Sequence, residues 1–146
     1  MARKPNVLFV CSHNSARSQM AQGWLGRLAG ERFEAHSAGV EPGQVHPLTV
    51  RVMNEVGIDL SDARAKGIGD YLGKVHVSHL IVVCDQAAKT CPRIWPGLGE
   101  RTSWSFDDPS AAQGSEEEKL VVFRRVRDQI KAKLEAWLAA LPTEGA

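Results

Sequence analysis

Cys11 and Arg17 enclose five residues, Ser12, His13, Asn14, Ser15 and Ala16, and Ser18 follows the arginine. A loop of such residues can curve until successive backbone N–H groups face one point, which is where a tetrahedral oxyanion would sit. Arg17 can close the ring, because its planar fork donates two parallel hydrogen bonds to two oxygens of the anion, a geometry that lysine cannot match. The same donors would hold Cys11 as the nucleophilic thiolate, with the Ser18 hydroxyl adding a further hydrogen bond. The pattern predicts a thiolate attacking a bound oxyanion through Cys11, Arg17 and Ser18, with residues 12–17 forming the cradle. A buried strand-end cysteine with a surface arginine is the plainer alternative, and the setting of the loop decides between them. His13 is expected to contribute its backbone, with its ring turned outward.

Asp107-Asp108-Pro109 is the second group of interest, since proline forces the residue before it into an extended or turn conformation. An acid held in this way over the anion site could protonate a departing oxygen, and Asp108 is the candidate. Without the cysteine loop the same tripeptide would read as a common turn. Two further thiols remain, Cys84 after a strongly apolar run and Cys91 before Pro92. Were the residues between them helical, their Cα atoms would stand roughly 10 Å apart, beyond the limit of about 7 Å for a disulfide. Bridging them requires that segment to unwind. A core Cys84 with an incidental Cys91 is the alternative. No C-x2-C pair occurs, and the five histidines are scattered, so no metal site is expected.

The elements that must carry these residues can be traced from the apolar pattern. A strand over 6–11 delivers Cys11 to the loop, and a helix over 16–28 leaves it, with Met20, Trp24, Leu25 and Leu28 on one face. A strand over 33–38 and a helix over 47–56 repeat the alternation. The continuous apolar run over 79–84 predicts a strand covered on both faces and ending on Cys84. A weaker strand is expected over 102–106. The last helix begins at a capping box, Ser115 with Glu118, and carries the stripe Leu120, Phe123, Val126, Ile130, Leu134, Trp137 and Leu141. Alternating strands and helices predict an open parallel α/β sheet, in which ligands bind at the carboxyl ends of the strands.

With 146 residues, the chain predicts one domain over 1–146, with 142–146 as a frayed tail. An apolar share of 43% and a charged share of 24% exclude a disordered or collagen-like chain. The net charge of +1 gives no basis for nucleic-acid binding through bulk electrostatics. The apolar run over 7–11 is too short for a signal-peptide core, and the run over 136–141 is about a third of a membrane span. No membrane association is expected. Three cysteines cannot form a fully paired framework, which favours the reducing cytoplasm, and a soluble monomer is expected.

Taken together, the segments 11–21, His36-Ser37-Ala38-Gly39, Val83-Cys84-Asp85, Cys91-Pro92 and Trp104-Ser105-Phe106-Asp107-Asp108-Pro109 resemble the thioredoxin-coupled arsenate reductases. The resemblance implies the low-molecular-weight tyrosine phosphatase fold, a four-stranded parallel sheet flanked by helices. It also implies a relay in which Cys11 attacks arsenate, Cys84 attacks Cys11, and Cys91 carries the disulfide to thioredoxin, with no bound cofactor. Members with a potassium site have an acid where this chain has Gln22 and another near Lys66, and here only Asn14 and Ser37 remain. Potassium independence is therefore expected, with the Lys66 ammonium in the vacated role. A cysteine found in the loop of some members is Ala16 here. The alternatives are a low-molecular-weight phosphotyrosine phosphatase, needing only Cys11, Arg17 and Asp108, and a non-enzymatic redox sensor responding to anions.

Overall fold

The structure is a computed structural model that describes residues 4–84, 87, 89 and 98–141. Four strands, β1 (Asn6–Cys11), β2 (Glu34–Gly39), β3 (Val77–Val82) and β4 (Leu98–Ser103), form one parallel sheet in the order β2-β1-β3-β4. Three helices are described, α1 (Arg17–Ala29), α2 (Pro47–Asn54) and α3 (Glu116–Ala140). The chain leaves β1 towards β2 on one side and returns to β3 on the other. The carboxyl end of β1 is thus a topological switch point, the place where such sheets bind ligands.

Hydrophobic patterning accounts for the layers. Val7, Leu8, Phe9 and Val10 of β1 are fully buried, as a strand covered on both faces requires. The α1 face formed by Met20, Trp24 and Leu25 packs on the sheet, and α3 follows it with Leu120, Phe123, Val126, Ile130 and Leu134. Its start is fixed by the expected capping box, in which the Ser115 hydroxyl accepts the Glu118 N–H and the Glu118 carboxylate accepts the Ser115 N–H. A polar clamp joins α2 to α3. Glu55 accepts hydrogen bonds from Arg124 and from the largely buried Arg127, whose guanidinium also donates to the Val52 carbonyl. The Arg124 hydrogen bond, followed by the charges of both arginines, holds the Glu55 carboxyl below its ordinary range against the opposing effect of burial.

Three strands differ in extent from the sequence pattern: β2 spans Glu34–Gly39 instead of 33–38, a shift of one residue, and β3 and β4 differ more. β3 spans Val77–Val82 instead of 79–84; Val83 still donates to the Val10 carbonyl at 2.8 Å, and the chain then bends at Cys84. Apolar character continues past Val82 because Val83 and Cys84 are still buried, although the strand ends before them. β4 spans Leu98–Ser103, not 102–106. It is an edge strand of mostly exposed polar residues, so its apolar signal fell on Trp104 just beyond it, which caps the ladder by donating to the Val82 carbonyl. The expected tail over 142–146 lies outside the described residues. No helix among those residues is long and apolar enough to cross a membrane.

Candidate active site

The segment between β1 and α1 is shaped by where its carbonyls go. Those of Cys11, Ser12 and His13 accept N–H groups from Val40, Glu41 and Gly43 at 3.1, 2.8 and 3.0 Å, and that of Ser15 accepts from His46 at 3.1 Å. The Asn14 carbonyl accepts from Gln19 Nε2. In a trans peptide the next N–H points opposite to the carbonyl, so outward-facing carbonyls from Cys11 to Ser15 turn the following N–H groups into the concave side. At α1 neither a side-chain cap nor an acidic residue occupies the first turn, leaving its positive end uncompensated. Such a loop can serve as an oxyanion cradle.

Asn14 holds the cradle's tightest bend at φ 54°, in the left-handed region that favours glycine. Its buried side chain offsets that strain. Oδ1 accepts the Lys66 N–H and the Gln19 amide, both at 2.8 Å, which fixes the amide orientation and makes Nδ2 donate to Ser18 Oγ at 2.8 Å. Ser18, occupied as an acceptor, is left with its hydroxyl hydrogen for Cys11 Sγ at 2.9 Å. The Asn14 N–H reaches the same sulfur at 3.2 Å. Two donors thus meet the sulfur where the charge of a thiolate would reside.

Gly39, paired with Cys11 across the sheet, is the floor of the loop. A Cβ there would lie 2.8 Å from the Asn14 nitrogen and the His13 carbonyl carbon and 3.0 Å from the Ser12 oxygen. Those contacts are backbone and can relax only by moving the loop. Gly39→Ala is expected to lower kcat/KM for oxyanion turnover about a hundredfold, with thermal stability measured alongside to separate displacement from unfolding.

Arg17 lies across the opening, mostly buried, donating to the Phe106 carbonyl at 3.1 Å and standing 3.6 Å from Asp108 Oδ2. Asp108 extends into a 3-10 turn, Pro109–Ala111, and its Oδ1 accepts the Ser110 N–H at 3.0 Å and hydroxyl at 2.6 Å. Asp107 points away, to Arg125 on α3. A small pocket lined by Cys11, His13, Ser15, Ala16, Arg17, Asp108 and Ser110 brings together the expected nucleophile, arginine and acid. The His13 ring is turned outward and donates through Nδ1 to the Glu41 carbonyl.

Cys84 is buried just beyond β3, accepting the Ala87 N–H at 3.3 Å, and the Ser12 hydroxyl lies 3.5 Å from its sulfur. Ser12 therefore connects the cradle to the second thiol. Cys91 lies outside the described residues. Gly39, Gln19 and the Ser15-holding pair His46 and Thr49 carry no signal in the local motif, because their role arises from contacts between segments.

A parallel sheet whose first strand ends in a loop from Cys11 to Arg17, with Asp108 before Pro109 opposite, is the arrangement a phosphatase-type site requires. The chain belongs to the low molecular weight phosphotyrosine protein phosphatase family, which it matches over residues 6–146. Within that family it is similar to arsenate reductases: it is 42% identical to the one from Halalkalibacterium halodurans, over 92% of this chain and 95% of that one. Among solved structures it is similar to an arsenate reductase in the phosphate-binding state, with a TM-score of 0.77 and 32% identity over 94% of this chain and 99% of that one. A tyrosine phosphatase from Erwinia amylovora superimposes with a TM-score of 0.76 at 21% identity, covering 97% and 96% of the two chains. Backbone shape is thus common to both chemistries, and the choice between them rests on side chains.

Proposed function

We propose that this chain reduces arsenate to arsenite through a relay of Cys11, Cys84 and Cys91, regenerated by thioredoxin. The observation that carries the reading is the second buried thiol, Cys84, held against the cradle through Ser12; hydrolysis of a phosphate ester has no use for it. Arsenate would be held by the loop N–H groups and Arg17 while Cys11 attacks arsenic and a hydroxyl oxygen leaves as water, protonated with help from Asp108. The Cys84 thiolate then attacks Cys11 Sγ. The S–As bonding pair stays on arsenic, which departs as arsenite, and a Cys11–Cys84 disulfide forms. Two electrons reach arsenic and two thiols supply them. Cys91 attacks Cys84 in turn, freeing Cys11 and leaving a Cys84–Cys91 disulfide for thioredoxin to reduce.

Among the described residues, none of those lining the pocket is a phenylalanine, tyrosine or tryptophan that could pack against an aryl ester, which favours an inorganic substrate. The phosphatase reading keeps Cys11, Arg17 and Asp108, and the family match favours it to that extent. A Cys84→Ser/Cys91→Ser double variant separates the two. Loss of arsenate reduction is expected, and hydrolysis of phenyl phosphate by the unmodified chain that exceeds its arsenate reduction and survives in the double variant would overturn the proposal.

The region around Lys66 does not suit a potassium ion. The ammonium sits 3.3 Å from Ser37 Oγ and 3.4 Å from the Arg64 carbonyl, while Ser37 donates to Gln22 Oε1. Burial, then the nearby Arg64 charge, pulls its ionisation below the ordinary lysine value, with Asp70 opposing. Arsenate turnover is expected to stay within about twofold when potassium replaces sodium at equal ionic strength, because the local positive charge is covalently supplied. A severalfold activation would contradict this.

A further inference from the structure

His46 stands at the junction between the cradle and α2. Its backbone N–H donates to the Ser15 carbonyl at 3.1 Å, and its ring Nδ1 accepts the Leu48 N–H at 3.1 Å as the N-cap of α2. Histidine is a rare cap, and it serves only while Nδ1 carries no proton. Thr49, in the first turn of the same helix, donates its hydroxyl to the same Ser15 carbonyl at 3.2 Å. The ring is packed against Phe123 of α3, with centroids 4.8 Å apart, so the capping orientation is fixed from outside α2 as well.

We propose that His46 is a positioning residue for oxyanion binding, its neutral imidazole capping α2 so that His46 and Thr49 together hold the Ser15 carbonyl outward and the following N–H towards the anion. The inference rests on reading the loop as an oxyanion cradle. Protonation turns Nδ1 from acceptor to donor, ends the bond from Leu48, and places a positive charge at the positive end of α2. With the first turn released, Thr49 loses its fixed reach to Ser15, and the Ser15–Ala16 peptide can rotate its N–H out of the cradle.

The groups facing His46 are Phe123 and Lys119 from α3 and Asp108 from the segment over the pocket. Burial, followed by the Lys119 charge, lowers its ionisation from the ordinary 6.5, while Asp108 opposes the shift. A group whose folded-state ionisation is depressed contributes fully above its unfolded value. Its contribution is lost as pH falls below 6.5 and through the lowered folded value.

Sulfate is the probe of choice, because it keeps its double charge across this range while arsenate does not. Calorimetric titration of the reduced chain at neutral pH and at about pH 4.5, well below the ordinary histidine range, is compared with His46→Asn, which can cap without titrating, and His46→Ala, which cannot cap. The unmodified chain is expected to lose about fivefold more affinity on acidification than His46→Asn, a factor set by the typical strength of a helix cap. His46→Ala is expected to bind about fivefold more weakly than the unmodified chain already at neutral pH, with asparagine restoring most of the loss. The proposal is overturned if His46→Asn follows the pH dependence of the unmodified chain, or if His46→Ala matches its neutral affinity. Absence of sulfate binding by the unmodified chain at both pH values overturns the cradle reading together with this one.

Discussion

Replacing Cys11 by serine is expected to abolish arsenate reduction, a loss on the order of 10⁵-fold or more. The hydroxyl is a weak nucleophile at neutral pH, and serine cannot form the disulfide that delivers two electrons to arsenic. The substitution should leave the cradle nearly intact, because its shape depends on carbonyl acceptors outside the Cys11 side chain and on the Asn14 amide. Oxyanion binding by Cys11→Ser should therefore persist while turnover vanishes. Calorimetry with sulfate beside an arsenite assay checks both halves, and residual multiple-turnover reduction would remove Cys11 from its assigned role.

Cys91→Ser should separate a single event from a cycle. Cys11 and Cys84 alone contain the two thiols needed for one reduction, so one arsenite per chain is expected. The chain would then stop as a Cys11–Cys84 disulfide, buried at both sulfurs and shielded from a protein reductant. Turnover should fall to at most one equivalent. Quantifying arsenite released per chain in a rapid-quench experiment, with thiol counting before and after, reads this directly. Sustained thioredoxin-dependent turnover by the variant would take Cys91 out of the relay.

The parts of this site that could be read from the sequence are those contained in one stretch of chain. Cys11, Arg17 and Ser18 declare themselves because a strand, a short polar loop and a helix follow one another, and Asp108 because proline follows it. Gly39 was visible only through the resemblance; its physical reason, a loop backbone lying where a Cβ would be, needs the β1–β2 register. Gln19 looks like one polar residue in an amphipathic helix, yet it is buried and clamps Asn14 and the Arg64 carbonyl. Edge strand β4 was misplaced for a related reason. Its residues pair through the backbone and expose their side chains, so apolar periodicity marks Trp104 instead of the ladder. Cys84 was assigned to the end of a strand and instead lies two residues past it, where the chain has turned towards Ser12.

The proposed relay makes its most direct demand on the intact chain. Supplied with thioredoxin, thioredoxin reductase and NADPH, it should consume NADPH continuously when arsenate is added, many equivalents per chain, with arsenite appearing in equal amount. Phosphate in place of arsenate should give no consumption, since its bound form has no accessible two-electron reduction. No arsenate-dependent consumption by the intact chain, under conditions in which it hydrolyses phenyl phosphate, would contradict the account.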